Sequence, residues 1–138
     1  MEILKRFGVS IEEKLLQKFD YYVRSRGYKN RSEALRDLIR KELVVSQWEE
    51  SEQEVAGAVI IVYDHHRKEL VDNLINIQHD YSEIIISSQH IHLDHKTCLE
   101  IIVVKGNIKK IFELEAKLKS AKGVKHALLA KSTLGKEM

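Results

Sequence analysis

The sequence has no proline, a single cysteine and no apolar run long enough for a membrane span. A spanning helix needs about 20 predominantly apolar residues, so none is expected. The opening Met1-Glu2-Ile3-Leu4-Lys5-Arg6 is not followed by the uninterrupted apolar segment of a signal peptide. One cysteine excludes an internal disulfide framework and fits a reducing cytoplasm, the expected location. With 32% charged residues, a well-ordered chain laced with Lys and Glu is expected, a composition that also suits a thermophile. A length of 138 residues accommodates one compact domain or two small ones.

The net charge of +2 hides an asymmetry. Residues 1–41 carry 11 Lys/Arg against 6 Asp/Glu, hence +5, and the remainder carries 12 against 15, hence −3. A basic first third on a slightly acidic body points to a nucleic-acid-binding module attached to something else; a solvated basic face is the competing reading.

One ten-residue stretch, Gln89-His90-Ile91-His92-Leu93-Asp94-His95-Lys96-Thr97-Cys98, holds three of the seven histidines and the only cysteine. Its flanks, Glu83-Ile84-Ile85-Ile86 and Leu99-Glu100-Ile101-Ile102-Val103-Val104, are β-branched and apolar, so both read as strands joined by a polar turn. Side chains on a strand repeat with period two, which puts His90 and His92 on one face, and the hairpin returns Cys98 beside them. Two imidazoles and a thiolate on rigid strands make most of a transition-metal site. Taken singly, a strand histidine is commonly a half-buried polar residue and a lone cysteine a small core hydrophobe. Glu100 shares the face of Cys98, either as an acceptor for a ligand imidazole N–H or as an exposed strand carboxylate. His95 in the turn, with His65 and His66 upstream, reads as solvated.

Taken in order, residues 3–10 read as a short strand with Phe7 and Val9 on one face and Arg6, Gly8 and Ser10 on the other. Ser10 with Glu13 forms a capping-box pattern opening a helix that Gly27 ends; Asn30 with Glu33 opens a second. Strand, helix, helix in about 45 residues seldom sustains a core alone, and one strand cannot satisfy its own backbone. The economical solution is a dimer whose strands pair into a ribbon exposing Arg6, Gly8 and Ser10, an element that fits a DNA major groove. Residues 46–55 are polar and acidic and are expected to be a linker or an extension of the second helix.

The segment Arg26-Gly27-Tyr28-Lys29-Asn30-Arg31-Ser32-Glu33-Ala34-Leu35-Arg36-Asp37 resembles the inter-helix turn and second helix of ribbon-helix-helix repressors. Its Gly-Tyr-x-Asn-Arg-Ser-Glu-Ala core is especially similar to the nickel-responsive regulators of the NikR family. The DNA-facing candidates in this part are Arg6, Gly8, Ser10, Asn30 and Arg31. Gly8 stands where that family commonly presents a hydroxyl, which leaves Arg6 and Ser10 to read bases.

From residue 56 the pattern is βαββαβ, the ferredoxin-like order: strand 56–63, helix 66–78, the His/Cys hairpin, a helix capped by Asn107, and strand 124–131. One face of such a sheet is bare and apolar, and such faces usually find a partner subunit. The fold class expected is therefore α+β: a dimeric ribbon-helix-helix over residues 1–45, a linker at 46–55, and a ferredoxin-like, ACT-like domain over 56–138. That second domain resembles the metal-sensing domain of the NikR family through Gln78-His79, His90-x-His92 and His95-x-x-Cys98-Leu99-Glu100. The resemblance implies a square-planar Ni(II) held by His90, His92 and Cys98, with His79 supplied by a neighbouring chain. It also implies Arg67 and Lys122 as phosphate contacts, and Glu33 and Asp37 as oxygen ligands to an ion.

The function expected is a nickel-dependent repressor of operator DNA, working as a homo-oligomer, a tetramer built as a dimer of dimers. The alternative is a regulator of similar build answering to another metal or a small molecule, though an amino-acid site has no need of a thiolate. A metalloenzyme is disfavoured, because no general base stands beside the cluster and four protein ligands close a site.

Overall fold

The computed structural model describes residues 2–50 and 52–136. Ser51 of the expected linker lies outside them, as do Met1, Glu137 and Met138. The chain divides into two compact units, Met1–Lys41 and Glu42–Met138.

The first unit holds α1 (Glu13–Ser25) and the start of α2 (Arg31–Trp48), preceded by residues 2–12 without regular secondary structure. The strand expected at 3–10 is therefore not formed in the single chain. Strand backbone must hydrogen-bond to a neighbour, and among the described residues no strand precedes Glu54. Nor does Ser10 cap α1. Glu12 occupies the N-cap position with ψ 143° and no side-chain bond, so Ile11 and Glu12 stay outside the helix and the Ser10–Glu13 box cannot close.

The other end of α1 follows its sequence. Gly27 has φ 76°, Tyr28 N–H bonds Val23 O at 3.0 Å, and Gly27 N–H bonds Arg24 O at 3.1 Å, the two bonds of a Schellman motif. Asn30 Oδ1 then accepts from Glu33 N at 2.9 Å, while the Glu33 carboxyl reaches back to Lys29 N at 3.3 Å, one residue beyond the Asn30 N–H of the expected box. Yet only Val23 and Ala34 of this unit are buried among the described residues. Ile3, Leu4, Phe7, Val9, Ile11, Leu15, Leu38 and Ile39 stand exposed. Two buried residues cannot offset the conformational entropy of about 40 ordered ones.

The second unit begins with the end of α2 and continues through β1 (Glu54–Asp64), α3 (Lys68–Asp80), β2 (Ile85–His92), β3 (Thr97–Asn107), α4 (Ile108–Ser120) and β4 (Val124–Lys131). The strands form one antiparallel sheet in the order β2-β3-β1-β4, as the split βαβ pattern requires. Asn107 caps α4 as expected, its side chain accepting from Lys109 N at 2.8 Å. Leu70 and Leu74 of α3 and Ile108, Ile111, Leu114 and Leu118 of α4 bury against Val55, Val59, Ile61, Ile102 and Val104 of the sheet. Ile75 of α3 is exposed, whereas Ile77 packs on the core.

Residues 46–48 are helical, and Trp48 is buried in the core of this unit. Its indole N–H donates to Ser132 O at 2.7 Å, and its ring meets Phe112 edge-on at 5.9 Å. The sheet face away from α3 and α4 carries the alternate residues, among them Ile60, Val62, Leu99 and Ile101 half-buried and Val103, Ile91 and Leu128 exposed.

Candidate metal centre

The hairpin places its residues by register. His92 lies opposite Cys98 and His90 opposite Glu100 across the β2–β3 ladder, while Tyr63 on β1 lies opposite Cys98 from the other side. The buried residues of β3 alternate as Cys98, Glu100, Ile102 and Val104, so the cluster occupies the helix-covered face. β2 is an edge strand and its histidines remain exposed to incoming solute. The turn is held by Asp94, whose Oδ1 accepts from Lys96 N at 2.9 Å and Thr97 N at 2.8 Å. These amide bonds, from Thr97 first, hold the Asp94 carboxyl below the usual carboxylate range. The tip is tied to the end of β1, where His65 N–H donates to Lys96 O at 2.9 Å.

Cys98 is 1% exposed, and its Sγ lies 4.0 Å from His90 Nδ1. With metal–sulfur and metal–nitrogen bonds of about 2.3 and 2.0 Å, two neighbouring ligands of one metal stand roughly 3–3.5 Å apart. The Cys98–His90 separation exceeds that by about 0.5–1 Å, and a thiolate with imidazole nitrogens is a donor set suited to Ni(II). His92 is not aimed at the thiol. Its ring stacks on His65 with centroids 4.4 Å apart and an 8° interplanar angle. His79, at the exposed end of α3, has no hydrogen bond, ion pair or ring contact with His90, His92 or Cys98. Among the described residues no three His, Cys, Asp or Glu side chains of the one chain are gathered to hold a metal.

Beneath the ligand face lies a network that the sequence reading only touched. The Glu100 carboxyl, 1% exposed, accepts from Tyr63 O–H at 2.8 Å and from Gln78 Nε2 at 2.9 Å, and stands 3.5 Å from His90 Nε2. Glu100 is thus not an exposed strand carboxylate: it is buried, its hydrogen bonds come from Tyr63 and Gln78, and the His90 imidazole stands just outside them. Burial, then the bond to Glu100, push the Tyr63 phenol well above its ordinary value, so it stays a neutral donor. Tyr63 carried no signal of its own, and Gln78 entered only through the Gln78-His79 motif; their bonds to Glu100 depend on the β1–β3 register and on where α3 ends.

The expected DNA contacts divide into free and engaged groups. Arg6, Gly8 and Ser10 are exposed in the segment before α1. Asn30 caps α2, and Arg31 forms a two-pronged bond to Asp20 at 2.8 and 2.9 Å that holds that carboxyl below its ordinary range. Asp37 accepts from Tyr28 O–H and pairs with Lys41 at 3.2 Å, while Glu33 accepts from Lys29 N. Arg67 lies over Gly123 (φ 104°), beside the turn that carries Lys122; a side chain at Gly123 would meet Arg67 Nη1 at 2.6 Å.

A ferredoxin-like sheet that brings the Cys98 thiol beside the His90 imidazole, in a chain whose first third is basic and helical, fits a metal-binding DNA regulator. Comparisons with known proteins agree. A family model described as the NikR C terminal nickel binding domain matches residues 56–131, and one described as ribbon-helix-helix protein, copG family, matches residues 5–44. A protein of Syntrophus aciditrophicus is 52% identical over 135 residues, covering 98% of both chains. One from Chlorobium phaeobacteroides is 55% identical over 133 residues, covering 96% of this chain and 98% of the other. One from Thermococcus onnurineus is 48% identical over 135 residues, again covering 98% of each. All three bear the name "Putative nickel-responsive regulator". The uncharacterized protein TM1266 of Thermotoga maritima shares the fold, with TM-score 0.52 and 19% identity over 57% of this chain and 98% of that one.

The chain belongs to the NikR family of nickel-responsive regulators. It pairs a ribbon-helix-helix DNA-binding domain with a nickel-binding C-terminal domain; its ligand is Ni(2+), its partner is DNA, and it is a regulator, not an enzyme. No helix among the described residues is long and apolar enough to cross a membrane.

Proposed function

We propose that this protein is a cytoplasmic, nickel-dependent transcriptional repressor in which Ni(II) shared between neighbouring chains favours operator binding by paired N-terminal ribbons. The ligands of one site are His90, His92 and Cys98 of one chain and His79 of a neighbour. The observation that carries the reading is the buried Cys98 thiol opposite His92 and 4.0 Å from His90 Nδ1, in a chain whose own His79 stays apart from them. Bound there, the metal supplies a bridge between subunits. The chain's residues do the rest: Cys98 gives up its proton to ligate, Glu100 orients His90, and Asp94 holds the turn.

Two further features support the assembly. The exposed Phe7, Val9, Leu15 and Ile39 suit burial against a second copy in a ribbon-helix-helix dimer, and the bare sheet face suits a second contact. Two such contacts with closed symmetry make a tetramer, a dimer of dimers. Arg6 and Ser10 then read bases from the ribbon, and Arg67 and Lys122 contact phosphate. Because nickel and DNA favour the same arrangement, each raises affinity for the other by the same factor.

The test is operator binding by the full chain with no metal, and then with Ni(II), Zn(II), Cu(II) or Co(II) at equal occupancy. Tight, specific binding is expected with Ni(II). Metal-independent binding, or an equal response to every metal, would refute the nickel-dependent reading.

A further inference from the structure

Glu100 is a carboxyl on β3, an inner strand of the sheet, with 1% exposure, and each of its oxygens is engaged. Burying such a group is costly unless donors are fixed around it, so the bonds it makes are strongly directing. One donor comes from β1, the Tyr63 hydroxyl. The second comes from α3: Gln78 Nε2 at 2.9 Å. A third neighbour, His90 Nε2 at 3.5 Å, belongs to the metal cluster.

Gln78 is half-buried in the last turn of α3 (Lys68–Asp80), and His79 follows it on the exposed side. Helix ends fray, because their last carbonyls lack intrahelical partners. Here the main chain is tied off by Tyr81 N–H to Gln78 O at 3.1 Å and Ser82 N–H to His79 O at 3.3 Å, followed by Ile84 N–H to Tyr81 O at 3.1 Å. The Gln78 amide adds a side-chain anchor from that turn into the buried network. One carboxyl thus holds the turn that presents His79 outward and stands 3.5 Å from His90 of its own chain's site.

We propose that Gln78 is a positioning residue for nickel: its amide, bonded to Glu100, fixes the last turn of α3 and so presents His79 to the neighbouring chain's site. This rests on the reading of His79 as the ligand given in trans. Without the anchor, each nickel bound between chains must first order the frayed turn, at a cost in affinity.

The test uses the full chain titrated with Ni(II) alone against a competing chelator, in the native protein, Gln78→Leu, His79→Ala and the double variant. Gln78→Leu should lower nickel affinity by about 10- to 100-fold, the usual effect of losing a group that orients a metal ligand. In the His79→Ala background the same change should lower it by less than about threefold, because Gln78 acts through His79. The Cys98-to-nickel charge-transfer band should persist in Gln78→Leu. Gln78→Asn, which keeps the amide but falls short of Glu100, should reproduce the loss if the leucine variant folds poorly. Unchanged affinity in Gln78→Leu overturns the proposal, and so does an equal loss with and without His79, which would mean that Gln78 acts on His90. If His79→Ala alone binds nickel like the native chain, the trans-ligand reading itself has failed.

Discussion

His92 pairs with Cys98 in the β2–β3 ladder, yet its imidazole lies flat on His65, with centroids 4.4 Å apart and 8° between the planes. If His92 ligates nickel, it must leave that stack. Stacked ring pairs are worth about 0.5–1.5 kcal/mol beyond their buried area. His65→Ala should therefore raise nickel affinity roughly two- to tenfold, at about 1.4 kcal/mol per decade. His65→Phe, which keeps a stacking partner, should leave it near the native value. Isothermal titration of the three chains decides the matter, and a loss of affinity in His65→Ala would show that the stack helps the site.

The His90/His92/Cys98 face was legible because β-branched flanks fix the strands and a period of two fixes the faces. The Schellman end of α1 and the Asn107 cap were legible because each is settled within five residues. What escaped the sequence depends on residues far apart. Tyr63 reaches the cluster only through pairing with Cys98, 35 positions on. Trp48 sits in a polar, acidic stretch that reads as a linker or an extension of the second helix; α2 does extend to it, but its burial is set by Phe112 and Ser132. The N-terminal strand is absent from the single chain for the opposite reason: Phe7 and Val9 carry the pattern, but the expected strand pairs with a second copy, which one chain does not provide.

Asp94 makes the hairpin turn sensitive to acid. Its carboxyl is held below the ordinary value, chiefly by amide bonds from Thr97 and Lys96. A depressed carboxyl contributes stability that is present above its unfolded value, about pH 3.9, and lost as pH falls through its lower folded value. Asp94→Ala should be less stable than the native chain at pH 7, with the gap closing below about pH 4. Asp94→Asn keeps an acceptor oxygen and should remove the pH dependence more than the stability. Denaturant titrations between pH 2 and 7 measure both, and a gap that persists to the lowest pH would assign the effect to packing.

Trp48 anchors the end of α2 in the second unit. It is 4% exposed, donates to Ser132 O at 2.7 Å, and lies under the Lys131 ammonium at 6.0 Å. Trp48→Ala should cost about 3–5 kcal/mol of stability, as large-to-small core changes do. Trp48→Phe keeps much of the apolar contact but leaves the Ser132 carbonyl short of its donor, a loss of about 1–3 kcal/mol. Guanidinium unfolding followed by far-ultraviolet circular dichroism separates these. A loss below about 1 kcal/mol in Trp48→Ala would mean that the indole is not a true anchor.

The assembly can be tested through the ligands themselves. His79 is exposed at the end of α3, whereas Cys98 is buried on β3 with His90 as its side-chain neighbour, and among the described residues no three such side chains gather to hold a metal. The plain alternative is that His79 is a solvated residue whose imidazole interacts favourably with the helix C-terminus. A His79→Ala chain and a Cys98→Ala chain should each bind nickel weakly alone. Mixed, they form hybrid oligomers in which some interfaces pair an intact His79 with an intact Cys98 from the other chain. Those interfaces should regain tight nickel binding and the thiolate-to-nickel charge-transfer absorption, in proportion to the hybrid fraction counted by native mass spectrometry. If both ligands of a site came from the same chain, no mixture could restore it, because every chain lacks one of them. Hybrids present in quantity without restored binding would therefore return His79 to its surface role and leave the single-chain cluster to be completed by another donor.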